Sequence, residues 1–171
     1  MPAITPLPGS SSATEYLSPM AKSQRIAVVL VAAGRGLRAG AGSPKQYRSI
    51  GGQPVIFRAM EAFSRHPDVS AVQPVVNPDD SVMFTATVAG LRHEPPTNGG
   101  ATRQASVLAG LEALARHKPD IVLIHDAARP FVSQGLITRA IAAASRTGAA
   151  GYLHKPFEAP QLLSLLEKVL P

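Results

Sequence analysis

An unbroken apolar, β-branched run, Ile26 to Ala32, leads directly into a glycine-rich basic segment; from Val31 to Tyr47 the chain reads "VAAGRGLRAGAGSPKQY". A short apolar run that stops at glycine reads as a strand buried on both faces, the kind found in parallel sheets covered by helices. The rest of the chain alternates in the same way. Val55–His66 carries apolar residues at helical spacing and ends before Pro67-Asp68. Val69–Val76 is a second strand, in which Pro74 argues for an irregularity or an edge. Ser81–Ala89 is a weaker helix, and "HEPPTNGG" is a loop. Arg103–His117 is a helix with Val107, Leu108, Leu111 and Leu114 on one face. Asp120–His125 is another buried strand, and Ser133–Arg146 is an alanine-rich helix. Tyr152 lies in a short apolar piece, and Pro160–Leu170 closes with a helix. Alternation of this kind implies an α/β sandwich with a mostly parallel sheet. Ligands of such sheets bind beyond the carboxyl ends of the strands. The informative loops are therefore those after Ala33, around Gly99 and after His125.

Composition narrows the functional classes. At 171 residues the chain has the length of one domain, enough to bury a core. Hydrophobic residues make up 45%, yet no apolar run approaches the roughly 20 residues of a membrane-spanning helix. Cysteine is absent, which excludes disulfides and thiolate metal sites and fits a reducing cytoplasm. The net charge of +6 suits an anionic partner, but aromatics at 5% and the lack of any Lys/Arg run argue against nucleic acid. Residues 1–24 are rich in Pro, Ser and Thr with no apolar core of a secretory signal, so they read as a disordered leader in which Met20 is an alternative start. His66, His93, His117, His125 and His154 are scattered, with no helical pair for a metal. No Gly-x-Ser-x-Gly elbow for acyl chemistry occurs.

Three short pieces carry chemistry. In "AAGRGLRAGAGSPKQ", glycines after a strand let backbone N–H groups approach an anion. Gly34-x-Gly36-x-x-Ala39 fits a dinucleotide fingerprint, but no acidic residue ends a second strand about twenty residues on. It is not a Walker loop, because Lys45 follows Pro44. A third reading sets Arg38 and Lys45 as fixed cations over a polyphosphate, and a plain glycine turn with solvated charges is the fourth. In "NGGATRQASVLAGL", backbone freed by glycine and the Ser106 hydroxyl could read the edge of a base, although glycine before a helix is often simple turn chemistry. In "HDAARPF", Asp126 at a strand's carboxyl end is placed to hold Mg²⁺, Arg129 adds a cation, and Pro130 stiffens the loop. A capping aspartate beside a surface arginine is the alternative there.

Together, "AAGRGLR…SPKQY", "GGATRQASVLAGL" and "VLIHDAARPFV" resemble, in order and spacing, the 2-C-methyl-D-erythritol 4-phosphate cytidylyltransferases, from about Arg25 to Ala150. The resemblance implies a Rossmann-like fold and Mg²⁺-dependent transfer of CMP from CTP to a small sugar-alcohol phosphate, with release of pyrophosphate. By that resemblance Arg38 and Lys45 stabilise phosphate charge. Ala32, Ala33, Gly34, Gly36, Gly100 and Ser106 surround the nucleotide, Asp126 takes the metal, and Arg129 stands nearby. The family often has an acidic residue where this chain has Ala101.

Beyond Ala150 the family's pattern stops. Its following strand, its dimerisation arm and its acceptor-gripping residues have no counterpart in "GYLHKPFEAPQLLSLLEKVLP", so the resemblance yields no expectation about a dimer. This tail resembles the end of a response-regulator receiver domain, with Tyr152 as the switch aromatic, Lys155 as the phosphoryl-contacting lysine and Pro156 after it. A complete receiver needs an acidic pair where Gly34 and Arg35 stand, and Asp79-Asp80 after Asn-Pro fits turn chemistry. The expected organisation is a leader over 1–24, a nucleotide-binding portion over 25–150, and a receiver-like strand and helix over 151–171 completing the same domain. An active cytidylyltransferase, a hybrid scaffold that binds CTP without turnover, and a receiver-like signalling module are the three functional readings.

Overall fold

The computed structural model describes residues 24–34 and 44–147. Gly36, Arg38, Tyr152, Lys155, Pro156, the Pro160–Leu170 helix and all but the last residue of the expected leader lie outside the described residues.

The strands β1 (Ile26–Ala32), β4 (Val69–Val76), β5 (Thr97–Asn98) and β6 (Ile121–Asp126) form one sheet in the order β5-β4-β1-β6, and every pairing is parallel. A small antiparallel hairpin, β2 (Ser49–Ile50) with β3 (Gln53–Pro54), precedes helix α1 (Val55–Ser64). Helices α2 (Ser81–Thr87), α3 (Arg103–Leu114) and α4 (Gln134–Thr147) complete the described α-helices. On one face, Ile56, Met60 and Phe63 of α1 and Ile137 of α4 pack with Val28, Leu30 and Val72 of the sheet. On the other, Leu114 of α3 packs with Ala27, Val29, Ala71 and Val75. Helices therefore cover both faces, as the alternation of apolar runs leads one to expect.

Four expectations need correction. Pro74 marks neither an edge nor a break: β4 lies inside the sheet, Pro74 pairs with Leu30, and the register shift falls at Ile26/Ala27. The reason is the direction in which its main chain points. The carbonyls of Val72 and Val76, two residues either side, accept from Glu94 and Gly99 on the β5 side. The missing N–H of Pro74 thus faces that side, just short of the two residues where β5 pairs, and the ladder to β1 is spared.

The segment read as a loop, "HEPPTNGG", contains β5. The strand β6 is half-buried along its whole length rather than buried, because only β1 pairs with it among the described residues. In α3 the face against the sheet is Ser106, Gly110 and Leu114, whereas Leu108 and Leu111 are exposed. A Cβ on Gly110 would lie 2.5 Å from Val29 Cγ1 and 2.8 Å from Val75 Cγ2, so α3 approaches the sheet more closely than a side chain there allows.

Candidate functional site

The carboxyl ends of β1, β4 and β6 bring the three sequence pieces together. The loop after β4 and β5 reaches the end of β1 at Gly99, whose N–H donates to Val76 O at 2.8 Å. A Cβ on Gly99 would stand 2.1 Å from Ala33 Cβ and 3.0 Å from Ser106 Oγ, so only glycine lets these two loops touch. On the other side of β1, Val31 is in register with Asp126, and the Ala127 N–H donates to Val31 O at 2.9 Å. Ala32 is buried, Ala33 half-buried and Gly34 exposed, which places the end of β1 between the other two pieces.

Ser106 is buried in the first turns of α3, and its hydroxyl is spent on its own loop. It accepts from the Gly100 N–H at 3.1 Å and donates to Thr102 O at 3.0 Å. Its structural work is to hold the turn that presents the Gly99 and Gly100 backbone. Thr102 caps α3 by accepting from the Ala105 N–H at 3.0 Å.

Asp126 sits between two guanidinium groups. Arg103 donates to its Oδ1 from Nε at 3.1 Å and from Nη2 at 2.9 Å, and Arg129 Nε lies 3.5 Å from Oδ2. Arg103 was not among the residues singled out by the sequence. It opens α3, where the helix dipole disfavours a cation, and the Asp126 carboxylate offsets that cost. A cation in a first helical turn was the available signal. The pairs are solvent-exposed, so they contribute orientation more than stability. Behind them, His125 Nε2 is 2.9 Å from Arg129 O, and its ring meets Phe63 edge-on with centroids 5.0 Å apart. These contacts fix the chain between His125 and Arg129.

Lys45 is exposed in a single 3₁₀ turn, Lys45–Tyr47, beside the buried Gln46. Burial, with the nearby charge of Asp80, pushes the Tyr47 hydroxyl up to about 12, so it stays protonated at neutral pH. Among the described residues no cluster of three His, Asp or Glu side chains could cage a metal. Mg²⁺ commonly needs only one or two carboxylates together with substrate phosphates, and Asp126 supplies one at the strand end. The donor set therefore fits a metal that arrives with a triphosphate rather than one held by protein alone. No described helix is long and apolar enough to cross a membrane.

The family model described as IspD, 2-C-methyl-D-erythritol 4-phosphate cytidylyltransferase, matches residues 26–157. Its match runs past Ala150, where the sequence suggests a change of pattern. The chain is 89% identical over 131 residues to a bifunctional enzyme IspD/IspF of Bradyrhizobium diazoefficiens, a match covering 77% of this chain and 33% of the relative. A bifunctional enzyme IspD/IspF from Nitrobacter winogradskyi is 71% identical over the same share of each chain. The chain thus spans about a third of the length of the curated relatives it matches. Among solved structures, 4-diphosphocytidyl-2C-methyl-D-erythritol synthase from Anaerococcus prevotii superimposes with a TM-score of 0.61 at 29% identity, covering 71% of this chain and 51% of that one. The bifunctional IspDF from Campylobacter jejuni shares the fold with a TM-score of 0.59 at 21% identity, over 72% of this chain and 31% of that one.

Proposed function

Because the chain belongs to the 2-C-methyl-D-erythritol 4-phosphate cytidylyltransferase family, whose model matches residues 26–157, we propose that it transfers CMP from CTP to 2-C-methyl-D-erythritol 4-phosphate. The observation that carries this reading is the convergence of three loops at the carboxyl end of the sheet: Gly99 on Ala33, and Arg103 on Asp126.

In the proposed reaction a 4-phosphate oxygen of the acceptor bonds to the α-phosphorus of CTP. The bond from that phosphorus to the bridging oxygen breaks, and pyrophosphate leaves with the electron pair. Such transfers depend on positioning and charge neutralisation, with no need for a protein nucleophile. The backbone of Ala32, Ala33, Gly34, Gly36 and Gly100 surrounds the nucleotide, with Ser106 holding the last of these in place. Arg38 and Lys45 neutralise the triphosphate, and Arg129 and Arg103 orient the Asp126 carboxylate. Asp126 would hold Mg²⁺, which when bound neutralises charge on the phosphates. The absence of cysteine suits the cytoplasm as the setting.

The same proposal takes residues 151–171 as a receiver-like strand and helix completing the domain. The order of Tyr152, Lys155 and Pro156 supports it. No phosphotransfer role follows from it.

Thermal unfolding with nucleotides tests the site. CTP with Mg²⁺ raises Tm, by the mass-action stabilisation expected of a ligand that binds only the folded state. Lys45→Ala loses roughly tenfold or more in CTP affinity, the scale of one charge-assisted contact of about 1.5–3 kcal/mol. An unchanged CTP affinity in both Lys45→Ala and Arg38→Ala would remove the assignment of the first loop.

A further inference from the structure

Gln46 lies next to Lys45, and its side chain points away from solvent, with the residue only 4% exposed. Its Nε2 donates to Ala32 O at 2.9 Å and to Gly34 O at 3.3 Å. Both acceptors belong to the main chain at the carboxyl end of β1, on either side of Ala33. Ala33 is the residue that Gly99 touches. One carboxamide therefore ties the end of the first strand, twelve residues back along the chain at Gly34, to the turn that carries Lys45.

The chemistry of this contact is selective. Burying an amide is costly unless its groups are paired, and an apolar side chain of similar size would fill the same space without that cost. What the carboxamide adds is a pair of N–H donors aimed at two carbonyl oxygens. The bond network runs on from there. Tyr47 N–H donates to Pro44 O at 2.9 Å, and Val55 N–H at the start of α1 donates to Arg48 O at 2.9 Å. The turn is thus anchored to α1 on one side and, through Gln46, to β1 on the other.

We propose that Gln46 is a positioning residue for the triphosphate. It touches no substrate; it holds the Ala33-Gly34 backbone and the Lys45 ammonium in one fixed relation, so that both meet the same phosphate chain. This inference rests on the cytidylyltransferase reading and adds a residue to it.

The test uses Gln46→Met, a near-isostere without donors, and Gln46→Glu, which sets acceptor oxygens against the two carbonyls. Three quantities are measured on the full chain: Tm, amide hydrogen exchange in the peptides covering residues 32–34 and 44–48, and CTP affinity with Mg²⁺ by calorimetry. The expected result is faster exchange in those peptides alone, a CTP affinity reduced about tenfold or more, and core strands as protected as in the wild type. In Gln46→Glu the affinity recovers relative to wild type as the pH is lowered, because a protonated carboxyl regains an O–H donor. Unchanged local exchange, or faster exchange with unchanged CTP affinity in variants whose wild-type parent binds CTP, would overturn the inference. A wild-type protein that gives no heat with CTP would sink the functional reading itself and this inference with it, while the exchange data still report whether the tie exists. Should Gln46→Met not fold, Gln46→Glu carries the same comparison.

Discussion

At the scale of single residues, the informative side chains are those whose partners lie far away in sequence. Arg103 and Asp126 are separated by 23 positions and meet at 2.9 Å, and nothing in either local motif announces the pair. Glu94 is a second case. It sits in the loop before β5, where its carboxylate accepts from Arg116 Nη2 at 2.7 Å, with His117 Nε2 at 3.3 Å, so it ties that loop to the 3₁₀ turn that follows α3. The Arg116 hydrogen bond, opposed by desolvation and aided by His117, holds the Glu94 carboxyl below the usual carboxylate range. A carboxyl whose folded value is depressed adds stability above its unfolded value, roughly 4.3, and that stability is lost as the pH falls through the folded value. Urea denaturation of wild type and Glu94→Gln should therefore show the variant less stable at neutral pH. The gap should close as the pH drops below about 4, a carboxylate's unfolded range. A gap that stays constant from neutral to acid pH would show that the ion pair is not what stabilises the loop. Because the pair is substantially exposed, the effect is modest.

At the scale of elements, apolar runs mark β1, β4 and β6 and helical spacing marks α1, because burial on both faces or on one stripe leaves a hydrophobic pattern that can be counted, while α4 is marked by its alanine content. The contact face of α3 was not legible. Where a helix lies closest to a sheet, backbone replaces side chain, so the buried positions are small: Ser106 and Gly110, with Leu114 after them. A hydrophobicity pattern favours Leu108 and Leu111, which the structure leaves exposed. β5, at two residues, is too short to leave any periodicity, and Pro74 could be placed only once its neighbours' carbonyls were seen.

The close approach of α3 makes a sharp comparison between two helical glycines. Gly110→Ala gains about 1 kcal/mol of helix propensity, but overpacking against the fully buried Val29 and Val75 costs about 1–3 kcal/mol. The clash wins, since both neighbours are β-branched and enclosed, and the variant should unfold at lower temperature. Gly135→Ala in the first turn of α4 meets nothing nearer than Arg139 Nη1 at 3.6 Å, so it should leave Tm unchanged or raise it slightly. Equal shifts in the two variants would contradict the packing described for α3.

At the scale of the whole molecule, the parallel order β5-β4-β1-β6 puts three sequence pieces, none specific alone, at the carboxyl end of the sheet. The order of the motifs makes that convergence legible; which atoms meet is not, because Gly99 on Ala33 joins two loops and Gln46 on Ala32 joins a turn to a strand end, contacts that no local pattern records. The central proposal is that this end of the sheet performs nucleotidyl transfer, and pyrophosphate release from CTP and Mg²⁺, followed with and without 2-C-methyl-D-erythritol 4-phosphate, tests it most directly. The account predicts release that appears only when the acceptor is present. Binding of CTP with no release in the presence of the acceptor would contradict it and leave a folded nucleotide site without its reaction.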